Sequence, residues 1–73
     1  AKNNFEEFHI KEQLRGIISE LPEKLKAVVL LRIYADMDFK DISLTLGVSV
    51  RQLHNRLNTA YALIREQLEE DNG

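Results

Sequence analysis

No cysteine occurs in the chain, which excludes a disulfide framework and any thiolate metal site. Packing of Leu, Ile, Val and Phe must therefore hold the fold together, as expected in a reducing, cytoplasmic setting. No apolar run approaches the roughly 20 residues of a bilayer-spanning helix, so a membrane role is not expected. No signal sequence opens the chain, and Ala1 without a preceding Met reads as the start of a trimmed fragment. The only two histidines, His9 and His54, lie far apart, and there is no Gly-rich phosphate loop and no metal-ligand spacing. With 73 residues there is also too little chain for an enclosed active site. No enzyme, cofactor or metal site is expected, and a binding module is. Positive charge is scarce as well: Lys plus Arg total 10 against 12 Asp plus Glu. Since independent nucleic-acid binders tend to be basic, any such contact here must come from local charge.

What is present is helical periodicity. Phe5, Phe8, Leu14, Ile17, Ile18 and Leu21 recur at spacings of three to four across Asn4 to Glu20, predicting an amphipathic first helix. Asn3 or Asn4 is its candidate cap, with Glu6 and Glu7 at the positive end of the helix dipole. Pro22 stops it and opens a second helix, predicted from Pro22 to about Ala35 with Pro22 at its first position. The segment from Ala27 to Tyr34 is apolar nearly all round and alone would also suit a buried strand. The absence of turn residues from Leu25 to Tyr34 favours helix.

Asp36, Met37 and Asp38 break the pattern, and Met37 is expected to fill a core gap. Asp38 can cap a short third helix with Phe39, Ile42 and Leu46 on one face, which Gly47 ends. Ser49 then caps a fourth helix striped by Val50, Leu53, Leu57, Ala60, Ile64 and Leu68. Residues 69 to 73 read as a flexible, acidic end. The expected fold is all-α: a single four-helix domain over residues 1 to 73, with a helix-turn-helix at about 38 to 68. In that unit a small Ser43 allows close approach, Gly47 turns the chain, and the later helix protrudes.

At about 100° per residue, Arg51, Gln52, Asn55, Asn58, Thr59 and Ala62 fall opposite the apolar stripe, with Arg56 and Arg65 on its flanks. Asn and Gln amides can pair with adenine edges, Arg with guanine or phosphate, and Thr with a thymine methyl group. A solvated helix face presents the same residue types, so periodicity alone leaves both readings open. Ser49 at the cap and Lys40 in the preceding helix complete the candidate DNA-binding set. His54 is expected half-buried at the stripe's edge, His9 in solvent, and Tyr61 mainly in the core.

The run LPEKLKAVVLLRIYADMDFKDISLTLGVSVRQLHNRLNTAYALIREQL resembles region 4 of sigma factors, especially the extracytoplasmic-function group, over about two thirds of the chain. The matching parts are Leu21-Pro22-Glu23, the run from Val29 to Arg32, Phe39 with Ile42, Leu46-Gly47-Val48-Ser49, Arg56-Leu57, Ala60 and Ile64-Arg65. The resemblance implies binding to the −35 promoter element through the last helices and docking on the β flap of the RNA polymerase core, with an anti-sigma or co-sigma protein as a further candidate partner. Where that family usually has Gly-Thr-Val-Lys-Ser, this chain reads Arg51, Gln52, Leu53, His54 and Asn55, and Asn58, Thr59 and Tyr61 replace later basic residues. With ~3 to 4 phosphates neutralised, a salt slope of about −3 is expected, so isolated binding is weak.

Two other functions compete with promoter recognition. One is a sigma-like protein-interaction module that binds polymerase or an anti-sigma partner without reading DNA, which the acidic balance favours. The other is an output domain of the LuxR kind, which Leu21-Pro22-Glu23 fits less well.

Overall fold

The computed structural model describes the backbone of residues 4–72 and the side chains of residues 7–70. Four α-helices follow one another, and no strand occurs among the described residues: α1 (Asn4–Ser19), α2 (Glu23–Val29), α3 (Phe39–Leu46) and α4 (Val50–Asn72). The expected all-α fold with its helix-turn-helix is therefore the one found. The cap expected at Asn3 or Asn4 and the side chains of Phe5 and Glu6 lie outside the described residues.

Among the described residues of α1, those that join the core lie in its second half. Leu14 packs against the core and Ile17 and Ile18 are buried in it, but Phe8, expected on the buried stripe, is 62% exposed. The cause is the reversal at Pro22, which lays the later helices along the end of α1 and leaves Phe8 uncovered. Lys26 holds that reversal together. Its ammonium donates to the Ser19 carbonyl at 3.3 Å, a cation on an unsatisfied helix C-terminus, and pairs with Glu23 at 3.3 Å.

Pro22 sits one position earlier than expected, as the N-cap of α2 rather than its first residue. Its extended backbone (φ −53°, ψ 146°) leaves the carbonyl free to accept from Leu25 and Lys26. The predicted second helix also changes character halfway: Leu30–Tyr34 form a π-helical turn, closed by the Ala35 N–H donating to the Leu30 carbonyl at 3.0 Å. Val28 and Val29 are fully buried before this turn, whereas Leu30, Ile33 and Tyr34 face solvent. An apolar circumference does not guarantee burial here, because a domain this small covers only one side of the segment. Beyond the turn Asp36 adopts φ 56°, and the Arg32 guanidinium donates to the Met37 carbonyl at 2.8 Å. Met37 packs against the core, as expected.

The helix-turn-helix is built from local hydrogen bonds. Asp38 caps α3 by accepting from the Asp41 N–H at 2.9 Å. Gly47 ends it at φ 70°, the left-handed conformation. Ser43 does more than stay small: its carbonyl accepts from Gly47 and Val48, and its hydroxyl donates to the Val48 carbonyl. Helix α4 then runs into the expected tail, with Glu69 and Glu70 helical and its end at Asn72. From it Leu53, Leu57, Ala60 and Ile64 enter a core shared with Ile17, Ile18, Leu21, Val28, Val29 and Ile42. Tyr61, expected in the core, is 42% exposed. It lies roughly 70° from the centre of the buried stripe, too far round to reach it.

Two glycines give a paired prediction. A Cβ at Gly16 or at Gly47 would meet nothing within 4 Å, but only Gly47 has positive φ. Gly16→Ala should stabilise the domain by about 0.5–1 kcal/mol, and Gly47→Ala should destabilise it by roughly 1–2 kcal/mol. Urea unfolding of both variants checks this, and equal shifts of the same sign would contradict it.

Candidate nucleic-acid interface

The face of α4 opposite its buried stripe presents Arg51, Asn55, Asn58, Thr59 and Ala62, all exposed. They are projected outward because Leu53, Leu57, Ala60 and Ile64 anchor the other side with the helical period. The set spans about three turns, a length suited to a major groove.

Ser49 and Gln52 form a reciprocal capping box. The Gln52 N–H donates to the Ser49 hydroxyl and the Ser49 N–H donates to the Gln52 side-chain carbonyl, both at 3.1 Å. This changes what Gln52 can do. A bidentate contact to adenine uses both the oxygen and the nitrogen of an amide, and here the oxygen already serves the helix start. Gln52 keeps its NH2 group and one lone pair of its oxygen for a ligand, but in an orientation set by the helix start, while Ser49 retains its hydroxyl proton. The Ser-x-x-Gln spacing was visible in the sequence and is the signal that identifies the box. Thr59 is also partly committed, donating to the Asn55 carbonyl at 3.0 Å. Asn55 and Asn58 retain both halves of their amides among the described residues.

The cations are free. All ion pairs among the described residues lie within α1 and α2, joining Lys11 to Glu7, Arg15 to Glu12 and Lys26 to Glu23. Lys40, Arg51, Arg56 and Arg65 form none. Arg56 is half-buried on one flank of the outward face, Arg65 is exposed towards the other, and Lys40 is exposed on the first turn of α3. The structure thus brings Arg51, Gln52, Asn55, Asn58 and Thr59 together on one side of α4, with Ser49 at its cap and Arg56 and Arg65 on the flanks. Lys40 belongs to a separate helix. Further along α4 the exposed residues turn acidic, with Glu66, Glu69 and Glu70, so the first half of the helix offers the better surface to a polyanion.

His54 departs from expectation. It is exposed rather than half-buried, and its ring stacks on that of Phe39, with centroids 4.3 Å apart and planes tilted by 36°. The Arg32 guanidinium lies 5.1 Å from the centre of the same Phe39 ring. No sequence periodicity links residues from three different segments, which is why this stack went unseen.

Among the described residues no cluster of His, Asp or Glu could hold a metal ion, and no helix is long and apolar enough to cross a membrane. An apolar groove of about 360 Å³ lies elsewhere, between α1, α2 and the π-helical turn, lined by Arg15, Ile18, Ser19, Lys26, Leu30 and Tyr34. None of its lining residues comes from α3 or α4.

Comparison with curated proteins and with solved structures gave no match. The family model described as "Sigma-70, region 4" matches residues 11–64, from the middle of α1 to the fourth turn of α4, and so takes in α2, α3, the turn at Gly47 and the first four turns of α4. With well over half of its residues inside that match and a capped, outward-facing α4 in the place of the second helix, the chain belongs to the sigma-70 region 4 family.

Proposed function

We propose that this chain, a DNA-binding and polymerase-interacting module of a non-enzymatic family, recognises the −35 promoter element and docks on the flap of the polymerase β subunit in the cytoplasm. The observation that carries this reading is the exposed side of α4, where Arg51, Asn55 and Asn58 stand unpaired beside the free Arg56 and Arg65. Arg51 and the two Asn amides have the donors and acceptors that base edges require, while Arg56, Arg65 and Lys40 serve phosphates. The groove between α1, α2 and the π-helical turn suits the polymerase. Its apolar floor of Ile18, Leu30 and Tyr34 shares no lining residue with α4, so one partner leaves the surface for the other open.

The exposed Glu66, Glu69 and Glu70 and the net charge of −2 favour a second reading, a protein-binding module that leaves duplexes alone. An anti-sigma or co-sigma protein would be its partner. Selection from a pool of randomised duplexes at low salt separates the two. Promoter recognition predicts enrichment of one sequence, bound at least about tenfold tighter than its scrambled counterpart. A pool that stays random through successive rounds would favour the protein-binding reading.

A further inference from the structure

We propose that His54 is a phosphate-contacting residue of the DNA interface, with Phe39 and Arg32 as its positioning residues; this rests on the reading of α4 as the duplex-binding helix. The imidazole is exposed, yet its face is fixed by the Phe39 ring at 4.3 Å. Phe39 is itself half-buried against the core, and Arg32, beside the same ring, is tied down by its hydrogen bond to the Met37 carbonyl. The π-helical turn, α3 and α4 thus each contribute one member of the stack. A ring held by its face keeps its edges free, and among the described residues neither His54 nitrogen has a hydrogen-bond partner. An N–H donor is therefore held ready, with less rotamer freedom left to lose on binding.

Position on the helix decides what such a donor meets. His54 lies roughly 90° round α4 from the centre of the outward face, and Arg56 lies a similar angle to the other side. Residues at the centre of a helix in the major groove face base edges, whereas those on its flanks face the sugar-phosphate walls. His54 and Arg56 would thus hold α4 from opposite walls, and contact at His54 is independent of sequence. In a chain with few basic residues on this helix, a pre-oriented N–H donor supplies part of the grip that added lysines would otherwise provide.

Dissociation constants of the full chain for a preferred and a scrambled duplex, measured by fluorescence anisotropy across a salt series, test the assignment. His54→Ala should weaken both duplexes by the same factor, about three- to tenfold. His54→Lys should restore binding and steepen the log–log salt slope by about 0.9. Phe39→Leu should weaken both duplexes in the native background and add nothing once His54 is Ala, as expected of a positioning residue. If Phe39→Leu disturbs the fold, the imidazole nitrogen resonances of the native chain provide the readout, and they should move on adding either duplex. Unchanged affinities for His54→Ala, with Arg51→Ala still weakening binding, would overturn the inference and leave the reading of α4 intact. Loss confined to the preferred duplex would also overturn it, as a base contact. If substitutions at Arg51, Asn55, Arg56 and His54 all leave both duplexes unaffected, the DNA reading fails and the inference fails with it.

Discussion

Truncating Leu53 to alanine should remove about 2–5 kcal/mol from the stability of this domain. Leu53 is fully buried, and it ties α4 to a core that also draws on α1, α2 and α3. A domain of this length has only roughly 4–11 kcal/mol in total, so the loss ranges from about a fifth to all of it. The effect is large because a fully buried leucine cut back to alanine loses its burial and leaves a cavity that a close-packed core refills only in part. Leu44→Ala is the control: the same atoms are deleted from a side chain 76% exposed on α3, and the change should stay within about ±0.5 kcal/mol. Urea denaturation followed by circular dichroism compares the two. Similar midpoints for both variants would mean that α4 is not packed through Leu53.

The other large effect concerns specificity. Arg51→Ala and Asn55→Ala should each cost about 1–3 kcal/mol on the preferred duplex and little on a scrambled one, because base-edge contacts exist only when the base is right. Arg56→Ala should weaken all duplexes alike. Gln52→Ala should behave differently from both groups. It breaks the reciprocal box with Ser49, so it should lower stability by about 0.5–2 kcal/mol with no DNA present. Competition binding against both duplexes, paired with thermal unfolding of each free variant, resolves these behaviours. A purely sequence-dependent effect of Gln52→Ala, with unchanged thermal stability, would show that the amide reads bases instead of capping the helix.

The legible part of this fold was the part encoded locally. Asp38 and Ser49 cap their own helices, Gly47 marks its own turn, and the stripe from Leu53 to Ile64 declares the buried side of α4 within a single segment. The outward face follows from that stripe, so Arg51, Asn55 and Asn58 form a set already in the sequence. The features that escaped depend on what lies alongside. Phe8 and Leu14 sit on the same helix, and only the reversal at Pro22 decides that Leu14 is covered and Phe8 is not. The change to π-helix at Leu30 leaves no mark in composition, since Leu-Leu-Arg-Ile-Tyr contains neither Gly nor Pro. The Arg32–Phe39–His54 stack spans three segments and is visible only in three dimensions. Gln52 is a different case: its spacing from Ser49 was there to be read, but its amide suggested a base contact first.

The acidic end of α4 shapes how a duplex is met. Glu66, Glu69 and Glu70 are exposed on the same helix as Arg51, and no basic residue occupies its last turn. Negative charge there disfavours phosphates, so on the proposed reading contact falls on the part of α4 before Glu66 and a low affinity is expected of the isolated domain. A second tether to the polymerase would offset such weakness by raising the local concentration of promoter DNA.

Amide chemical shifts of the isotopically labelled domain at low salt, recorded on adding a duplex with a candidate −35 sequence and then a scrambled duplex of equal length, test the central claim most directly. Promoter recognition by α4 predicts perturbations clustered from Lys40 to Arg65, larger for the candidate duplex, with the groove residues Ile18, Leu30 and Tyr34 unmoved. Silence with both duplexes, or shifts centred on that groove, would contradict it.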